Sequence, residues 1–417
     1  MDQAGLRPSD AGTPEGFRRL PITEKADYRR NFPQGVIAMG KTLRERLTLK
    51  SQSSGTGGER LTTITHTYEL AKRMWVTLGA HEPLREALKR IRRQRPLRYA
   101  APNCSDVECA TPFSTPKDRT LADGTLVLPV SHDLLATPER LIVQAIEETK
   151  AFKPHWFYAD ATHLAFLIRN MRRHGVPPPD VSAIALTYTL ATGVARRQIR
   201  EFFGTAVPTT EILSMSELGW LAVQCPAGQM HINNVTFFTE FLVDGRFAEP
   251  GEFGELVVTS VGDRLLPHMR YRTGDVYRIS EGGCACGSDL PLARHEGRCQ
   301  NMIAVRRGGR REWVGPRDID AAVGDDLPID VYQLHQFADD SCLFRYIPSR
   351  EMDRRPDAAL RERLADVLGD GSRPDVEEVA YIPSQRSGKF TSCTSEIAER
   401  LGSSVLSEMA AGVKMRG

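Results

Sequence analysis

Apolar residues recur at helical spacing in several separate stretches of this chain. The pattern predicts helices over "TYELAKRMWVTLGA" (67–80) and "ATHLAFLIRNMRRHG" (161–175), the second ending on Gly175. A third runs through "GVARRQIREFFG" (193–204) and is again closed by a glycine. The shorter "LPITEKADYRRNFP" (20–33) offers Thr23 as an N-cap and stops before Pro33. Between these lie apolar, β-rich runs: "TLVLPV" (125–130), "AIALTYT" (183–189) and "GELVVTS" (254–260). Strands alternating with helices predict an α/β fold with a substantially parallel sheet.

One stretch breaks the pattern by charge. "EALKRIRRQRPLR" (86–98) is locally basic and reads as a solvated helix face, with a place near an anionic ligand as the alternative. After about residue 297 the character changes. A basic, glycine-containing segment (305–311) leads into helix-like "PRDIDAAVG" (316–324) and "DAALRERLADVLGD" (357–370). This predicts a large N-terminal domain over 1–297 and a smaller α+β C-terminal domain over 298–417, the latter of ordinary domain size.

Composition narrows the function classes. The chain has 417 residues, 41% of them hydrophobic and 26% charged, which suits a packed core and argues against wholesale disorder. A formal net charge of +2 is too close to neutral to make nucleic acid or an anionic membrane the main partner. No apolar run approaches the ~20 residues of a membrane helix, and the first residues hold no stretch resembling a secretory signal. A cytoplasmic protein is the expectation. Its eight cysteines are then expected to stay reduced, with metal binding favoured over a disulfide framework.

Four short motifs carry candidate chemistry. "SQSSGTGGERLTTITHT" (51–67) combines glycines, which let backbone approach a ligand, with hydroxyl donors. It is not the common phosphate loop, since Gly58 is followed by Glu59 and Arg60 rather than Lys and Ser or Thr. "SMSELG" (214–219) puts Ser216 and Glu217 in a small-residue turn, and a carboxylate there suits magnesium. In "YRTGD" (271–275), Asp275 could accept the two hydroxyls of a ribose. "SQRSGKF" (384–390) presents Lys389 on an apparently exposed turn, a point charge on a flexible stem. Taken singly, each is also compatible with an ordinary turn.

Their order and form together resemble the acyl-adenylate-forming superfamily, in its phenylacetate–CoA ligase-like branch. The resemblance begins at "LPITEKADYRRNFP" and continues through the loop at 51–67, "SMSELG", "GEFGELVVTS", "PHMRYRTGD" and "EGRCQNMIAV" to "QRSGKF". It implies a large domain with β-sheets flanked by helices and a small, mobile C-terminal domain. It further implies that Ser53, Ser54, Gly55, Thr56 and Gly57 cradle the phosphates of ATP. Glu217 would hold Mg2+, with Ser216 beside it at the nucleotide, and Asp275 would take the ribose hydroxyls. Arg298 matches the family's arginine at the inter-domain hinge. Lys389 matches the lysine that bridges the acyl carboxylate and the α-phosphate. Two anions must meet in such a reaction, so cations have to neutralise charge in the transition state.

A second constellation concerns zinc. Cys225, His231, Cys284 and Cys286 can make a closed tetrahedral site, although their spacing is not that of a zinc finger and buried free thiols are the alternative. Some members of the resembled branch carry cysteines and a histidine at matching places and bind Zn2+, which favours a structural site.

Several positions depart from the family. The adenine-side element reads "TYTLATG" and lacks its acid; Leu213 and Ser214 replace a Tyr-Gly; Gln300 and Asn301 replace an acidic hinge pair. The segment "RRGGRREWVGP" is longer than the family's glycine-containing turn. The resemblance thus implies an ATP-dependent, AMP-forming ligase that activates a carboxylic acid, aromatic by analogy, and passes it to coenzyme A or another thiol. The alternatives are transfer to an amine, carrier protein or small inorganic nucleophile, and a nucleotide-binding homologue without turnover. Residues 99–113 are expected to contribute to the acyl pocket. Many relatives pair their large domains, so a homodimer is one expectation and the oligomeric state stays open.

Overall fold

A computed structural model describes residues 12–52, 61–90, 94–102, 114–349 and 355–414. The described chain opens with α1 (Pro14–Arg18) and α2 (Lys25–Asn31). An antiparallel pair, β1 (Thr48–Gln52) and β2 (Thr62–His66), then leads into α3 (Thr67–Thr77) and α4 (Glu82–Lys89). Next come β3 (Pro96–Tyr99), β4 (Leu126–Val127), α5 (Glu139–Phe152), β5 (Trp156–Ala159), α6 (Ala161–Arg173), β6 (Ala183–Leu186) and α7 (Gly193–Phe203). The hairpin β7 (Thr209–Met215)–β8 (Gly219–Gln224) and the short β9 (Met230–Ile232) complete this layer.

Among the described residues these strands form one sheet in the order β4-β3-β5-β6-β7-β8-β9, parallel from β4 to β7 and antiparallel beyond. Helices α5 and α6 cover it through a core that includes Leu97, Phe157, Ile184, Leu164 and Ile168, all fully buried. A second, antiparallel sheet follows: β10 (Phe237–Val243), β11 (Arg246–Phe247), β12 (Phe253–Ser260), β13 (Tyr271–Ile279) and β14 (Ala293–Arg298), ordered β11-β10-β12-β13-β14.

After β14 the chain forms the hairpin β15 (Ile303–Arg307)–β16 (Arg310–Val314), α8 (Pro316–Val323), β17 (Ile329–Gln336), β18 (Cys342–Pro348), α9 (Asp357–Leu368), β19 (Asp375–Glu378), β20 (Cys393–Ser395), α10 (Glu396–Leu401) and α11 (Ser404–Lys414). Its sheet, β19-β18-β17-β20, packs on α8 and α9 around Ile319, Leu334, Phe344, Leu360 and Leu364. The result is the expected mixed α/β architecture.

Periodicity located four of the helices, 67–80, 161–175, 193–204 and 357–370 corresponding to α3, α6, α7 and α9, but did not mark α5, the longest described at 14 residues. The basic stretch 86–98 does not form one helix face. Helix α4 stops at Lys89, and Pro96–Tyr99 is an inner strand of the parallel sheet, with Leu97 and Tyr99 buried. The arginines around it hid a run too short to show alternation. Nor is Thr23 the N-cap of α2. That place falls to Glu24, whose N–H donates to Asp27, while the Thr23 hydroxyl donates to the Met269 carbonyl.

The basic segment 305–311 is a tight hairpin turning on Gly308 and Gly309, whose φ values of 57° and 76° suit a two-residue turn. Of its arginines, Arg306 pairs with Asp340 and Arg311 with Glu408.

Candidate active site

A cavity of about 400 Å³ lies where the two larger sheets meet the C-terminal segment. Its described lining includes Glu217, Asp275, Arg298 and Lys389, which lie far apart in sequence. Each is delivered by a different backbone device.

Glu217 sits in the turn of the β7–β8 hairpin, and Gly219, at φ 75°, allows the chain to reverse there. The carboxylate is only 3% exposed. Its Oε1 accepts a hydrogen bond from the Tyr271 hydroxyl at 3.2 Å and lies 3.5 Å from Lys25 Nζ. Burial, with Glu217 beside it, pushes the Tyr271 phenol well above its ordinary range, so it remains a donor. Ser216 is next in the turn and is exposed.

Asp275 is held by an irregularity of the sheet. Opposite β12, the pairing jumps from Val257–Arg272 to Glu255–Val276, and Gly274 takes φ 79°. Such a bulge re-aims a side chain out of the regular alternation. The Thr273 hydroxyl donates to the Leu256 carbonyl and accepts from the Asp275 N–H, fixing the local shape. Asp275 is therefore a strand residue, 7% exposed, rather than the cap of a surface turn. Arg298 faces it from β14, with Nε 3.5 Å from the Asp275 carboxylate.

Lys389 arrives from the C-terminal segment. The Gln385 N–H donates to the Lys389 carbonyl and the Gly388 N–H to the Gln385 carbonyl, closing a tight turn. Gly388 has φ 80°, and a Cβ there would meet Ala101, Pro102 and the His132 carbonyl at 3.2–3.3 Å. The turn is also tied down by the Leu134 N–H donating to Ser384 and by Tyr381 donating to Asp133. Lys389 is thus not on an exposed turn. It is half-buried and aims into the cavity, with Nζ 3.4 Å from the Tyr188 carbonyl.

The proposed phosphate-loop residues Ser53, Ser54, Gly55, Thr56 and Gly57 lie outside the described residues, as do Cys104, Cys109 and most of the proposed acyl-pocket segment. Tyr99, which is described, is 1% exposed and packs edge-on against His163 in the core instead of lining the cavity.

Sequence reading missed Glu211 on β7, at the cavity floor. Its carboxylate accepts from Arg317 of α8, from Arg196 of α7 at 2.6 Å and from the Ala191 N–H. Burial alone would raise its pKa, but the two guanidinium groups outweigh that and bring it down to about 2. No short motif marks this group, because the three residues meet only through the fold.

The four proposed zinc ligands do converge. Their ligand atoms all lie within 4.8 Å of one another. Cys225 Sγ is 3.5 Å from Cys284 Sγ, and Cys286 Sγ is 3.2 Å from His231 Nε2. A tetrahedral zinc with ~2.3 Å Zn–S bonds sets sulfurs roughly 3.8 Å apart, so the donor set fits. The Leu290 carbonyl, 3.0 Å from His231 Nδ1, accepts its proton and leaves the Nε2 lone pair available to a metal. The cluster joins β8–β9 of one sheet to the 280–292 loop of the other, beside the His231–Leu292 bridge.

No protein-family model matches the chain. Individual proteins do. The chain is 26% identical over 326 residues to a phenylacetate-coenzyme A ligase of Thermus thermophilus and 24% identical over 319 residues to one of Pseudomonas putida. Each match covers 73% of this chain and 66% of the relative, so the match spans just under two thirds of the relatives' length. The fold superposes on 2-hydroxyisobutyryl-CoA ligase in its postadenylation state with a TM-score of 0.67 at 17% identity, covering 97% of this chain and 86% of that one. By sequence and by fold, this chain is similar to the acyl-adenylate-forming superfamily, in its phenylacetate–CoA ligase-like branch.

Against the thioesterification state of the same 2-hydroxyisobutyryl-CoA ligase, the TM-score is 0.53 at 18% identity, covering 96% of this chain and 85% of that one. The fold therefore superposes better on the postadenylation form than on the thioesterification form. Contacts within the chain fix how its C-terminal segment sits. Arg197 of α7 donates to the Asp325, Leu327 and Ile329 carbonyls, and the Gly193 N–H donates to Asp320. Val194, also on α7, is buried among Ile303, Ile319 and Leu334. On the far side, Leu406 and Ala410 of α11 pack against Val243 and Val276 of the antiparallel sheet.

Proposed function

We propose that this protein is an ATP-dependent, AMP-forming acid ligase that converts a carboxylic acid, aromatic by analogy with its relatives, to an acyl-adenylate and then to a thioester of coenzyme A. The observation that carries this reading is the convergence of Lys389, from the C-terminal segment, with Glu217, Asp275 and Arg298 in one cavity. Lys389 supplies a positive charge where a carboxylate and an α-phosphate must approach, and preorganised charge of this kind stabilises the transition state. Asp275, its orientation fixed by the bulge, takes the ribose hydroxyls, and Arg298 contacts the nucleotide from the hinge. A buried carboxylate next to a polyphosphate site fits magnesium, which takes one or two protein carboxylates and otherwise phosphates and water. Glu217 would hold that ion, and bound Mg2+ would offset phosphate charge. Ser216 lies beside it, and Ser53 to Gly57 would line the phosphates.

Cys225, His231, Cys284 and Cys286 would hold one structural zinc, a closed site with no open position for catalysis. We place the division between the two domains at 297/298, immediately before Arg298, with rotation about that point between half-reactions. A cytoplasmic location and a homodimer are consistent with the family.

The test is acid-dependent exchange of pyrophosphate into ATP across a panel of aromatic, arylacetic and short aliphatic acids. Release of AMP is then measured with and without coenzyme A. Exchange with an aromatic acid and a thioester product are expected. ATP binding without exchange for any acid would refute the enzymatic reading.

A further inference from the structure

The N-terminal stretch 20–33 has a place in the family resemblance but no part in the chemistry described so far. In the structure it is spliced onto the head of β13. The Thr23 N–H donates to the Arg270 carbonyl and the Arg272 N–H to the Thr23 carbonyl, both at 2.9 Å. Tyr28 stacks on His268 with ring centroids 4.7 Å apart, and its hydroxyl accepts from the Met269 N–H. These contacts hold the first turn of α2 against the rim of the cavity.

The side chain delivered there is Lys25. Its Nζ lies 3.5 Å from Glu217 Oε1, and it lines the same cavity as Lys389. The two lysines occupy different ends. Lys389 is at the Tyr188 carbonyl, beside the 187–189 segment, whereas Lys25 is at Glu217 and Tyr271. About a third of the Lys25 side chain is solvent-accessible, against 4% for Glu217. A lysine stem has several rotatable bonds and a three-donor head, so it can keep Glu217 within reach and still meet an anion beside it.

We infer that Lys25 is a further substrate-binding residue, contacting the β- and γ-phosphates of ATP and the pyrophosphate they become. The inference rests on the nucleotide reading above, because it takes Glu217 as the carboxylate at the polyphosphate end. ATP with one magnesium ion still carries about two negative charges near neutral pH, so a cation beside the metal's carboxylate complements what the metal leaves. The division of labour is specific. Lys389 meets the α-phosphate and the acyl carboxylate, and Lys25 meets the leaving group.

Calorimetric titration of Lys25→Gln and Lys25→Arg with MgATP, pyrophosphate with and without magnesium, and AMP tests this without requiring turnover. For Lys25→Gln we expect affinity for MgATP and pyrophosphate to fall roughly tenfold to a hundredfold, the loss of one charge-assisted hydrogen bond. AMP affinity and the KM for the acid should move less than about twofold, and Lys25→Arg should restore most of the ATP affinity. An equal loss for AMP and ATP would mean that the variant disturbs the whole site. A loss confined to the magnesium complexes, with metal-free pyrophosphate binding unchanged, would mean that Lys25 only positions Glu217. Either would overturn the inference. So would unchanged MgATP and pyrophosphate binding. A wild-type protein that binds ATP but exchanges no pyrophosphate would sink the proposed reaction while leaving this result readable.

Discussion

Glu211 of β7 and Arg317 of α8 share a hydrogen bond across the junction between the parallel sheet and the C-terminal segment. Arg196 binds the same carboxylate oxygen, and the Glu211 side chain is only 4% exposed. One buried acid therefore joins two parts of the chain that lie more than a hundred residues apart.

That acid should set the low-pH limit of stability. Its folded pKa of about 2 lies below the ordinary value of 4.5, so its contribution is fully present above about pH 4.5. It is lost as the pH falls through about 2, because the unfolded chain takes up the proton first. Glu211→Gln should cost about 3 kcal/mol at neutral pH, the scale for breaking a buried pair. It should also flatten the fall in thermal stability between pH 4.5 and 2. Unfolding curves across that range check both effects, and a parallel pH profile in the variant would contradict them.

Lys389→Ala should remove adenylation while sparing the fold. Among the described residues the ammonium has one modest contact, to the Tyr188 carbonyl, so stability should change by no more than about 0.5 kcal/mol. The exchange rate should fall by about 10²-fold or more, the range seen when a preorganised charge is deleted. Exchange assays on protein with an unchanged melting temperature decide the point.

Zinc should be found at about one ion per chain. Cys286→Ser should release it and lower the melting temperature, since structural zinc contributes directly to folding. Because the cluster joins the two larger sheets, the loss should extend to both. Elemental analysis and hydrogen exchange of β9 and the 280–292 loop are the measurements, and metal-free wild-type protein of full stability would rule the site out.

Acyl-adenylate formation should outrun transfer to coenzyme A. A turn of the C-terminal segment must break the Arg197 bonds to three carbonyls and withdraw Val194 from a buried cluster. It must also undock Leu406 and Ala410 of α11. Arg197→Ala should narrow the gap by loosening this arrangement. Single-turnover experiments separate the two steps. Equally fast steps in the wild type would show that these contacts do not hold the domains.

Helices α3, α6, α7 and α9 were legible because a 3.6-residue period needs only local sequence, and a following glycine marks the end of α6, α7 and α9. That Glu217, Asp275, Arg298 and Lys389 belong together, and likewise Cys225, His231, Cys284 and Cys286, could be suspected as well, because residue type and order along the chain carry the candidate motifs. The structure brings each set together. Strand β3 was not, since four residues set among arginines are too few to show a period. Burial of Leu97 and Tyr99 between neighbouring strands is a property of the sheet. Likewise the bulge that turns Asp275 inward and the seating of Gly388 against Ala101 depend on long-range pairing. The partners of Glu211 and the approach of Lys25 to Glu217 exist only once distant segments pack. Local pattern determined which elements form and which residue types carry charge. Tertiary contact decided which charges face one another, because electrostatic pairing acts through space, and the chain has to fold before those distances exist.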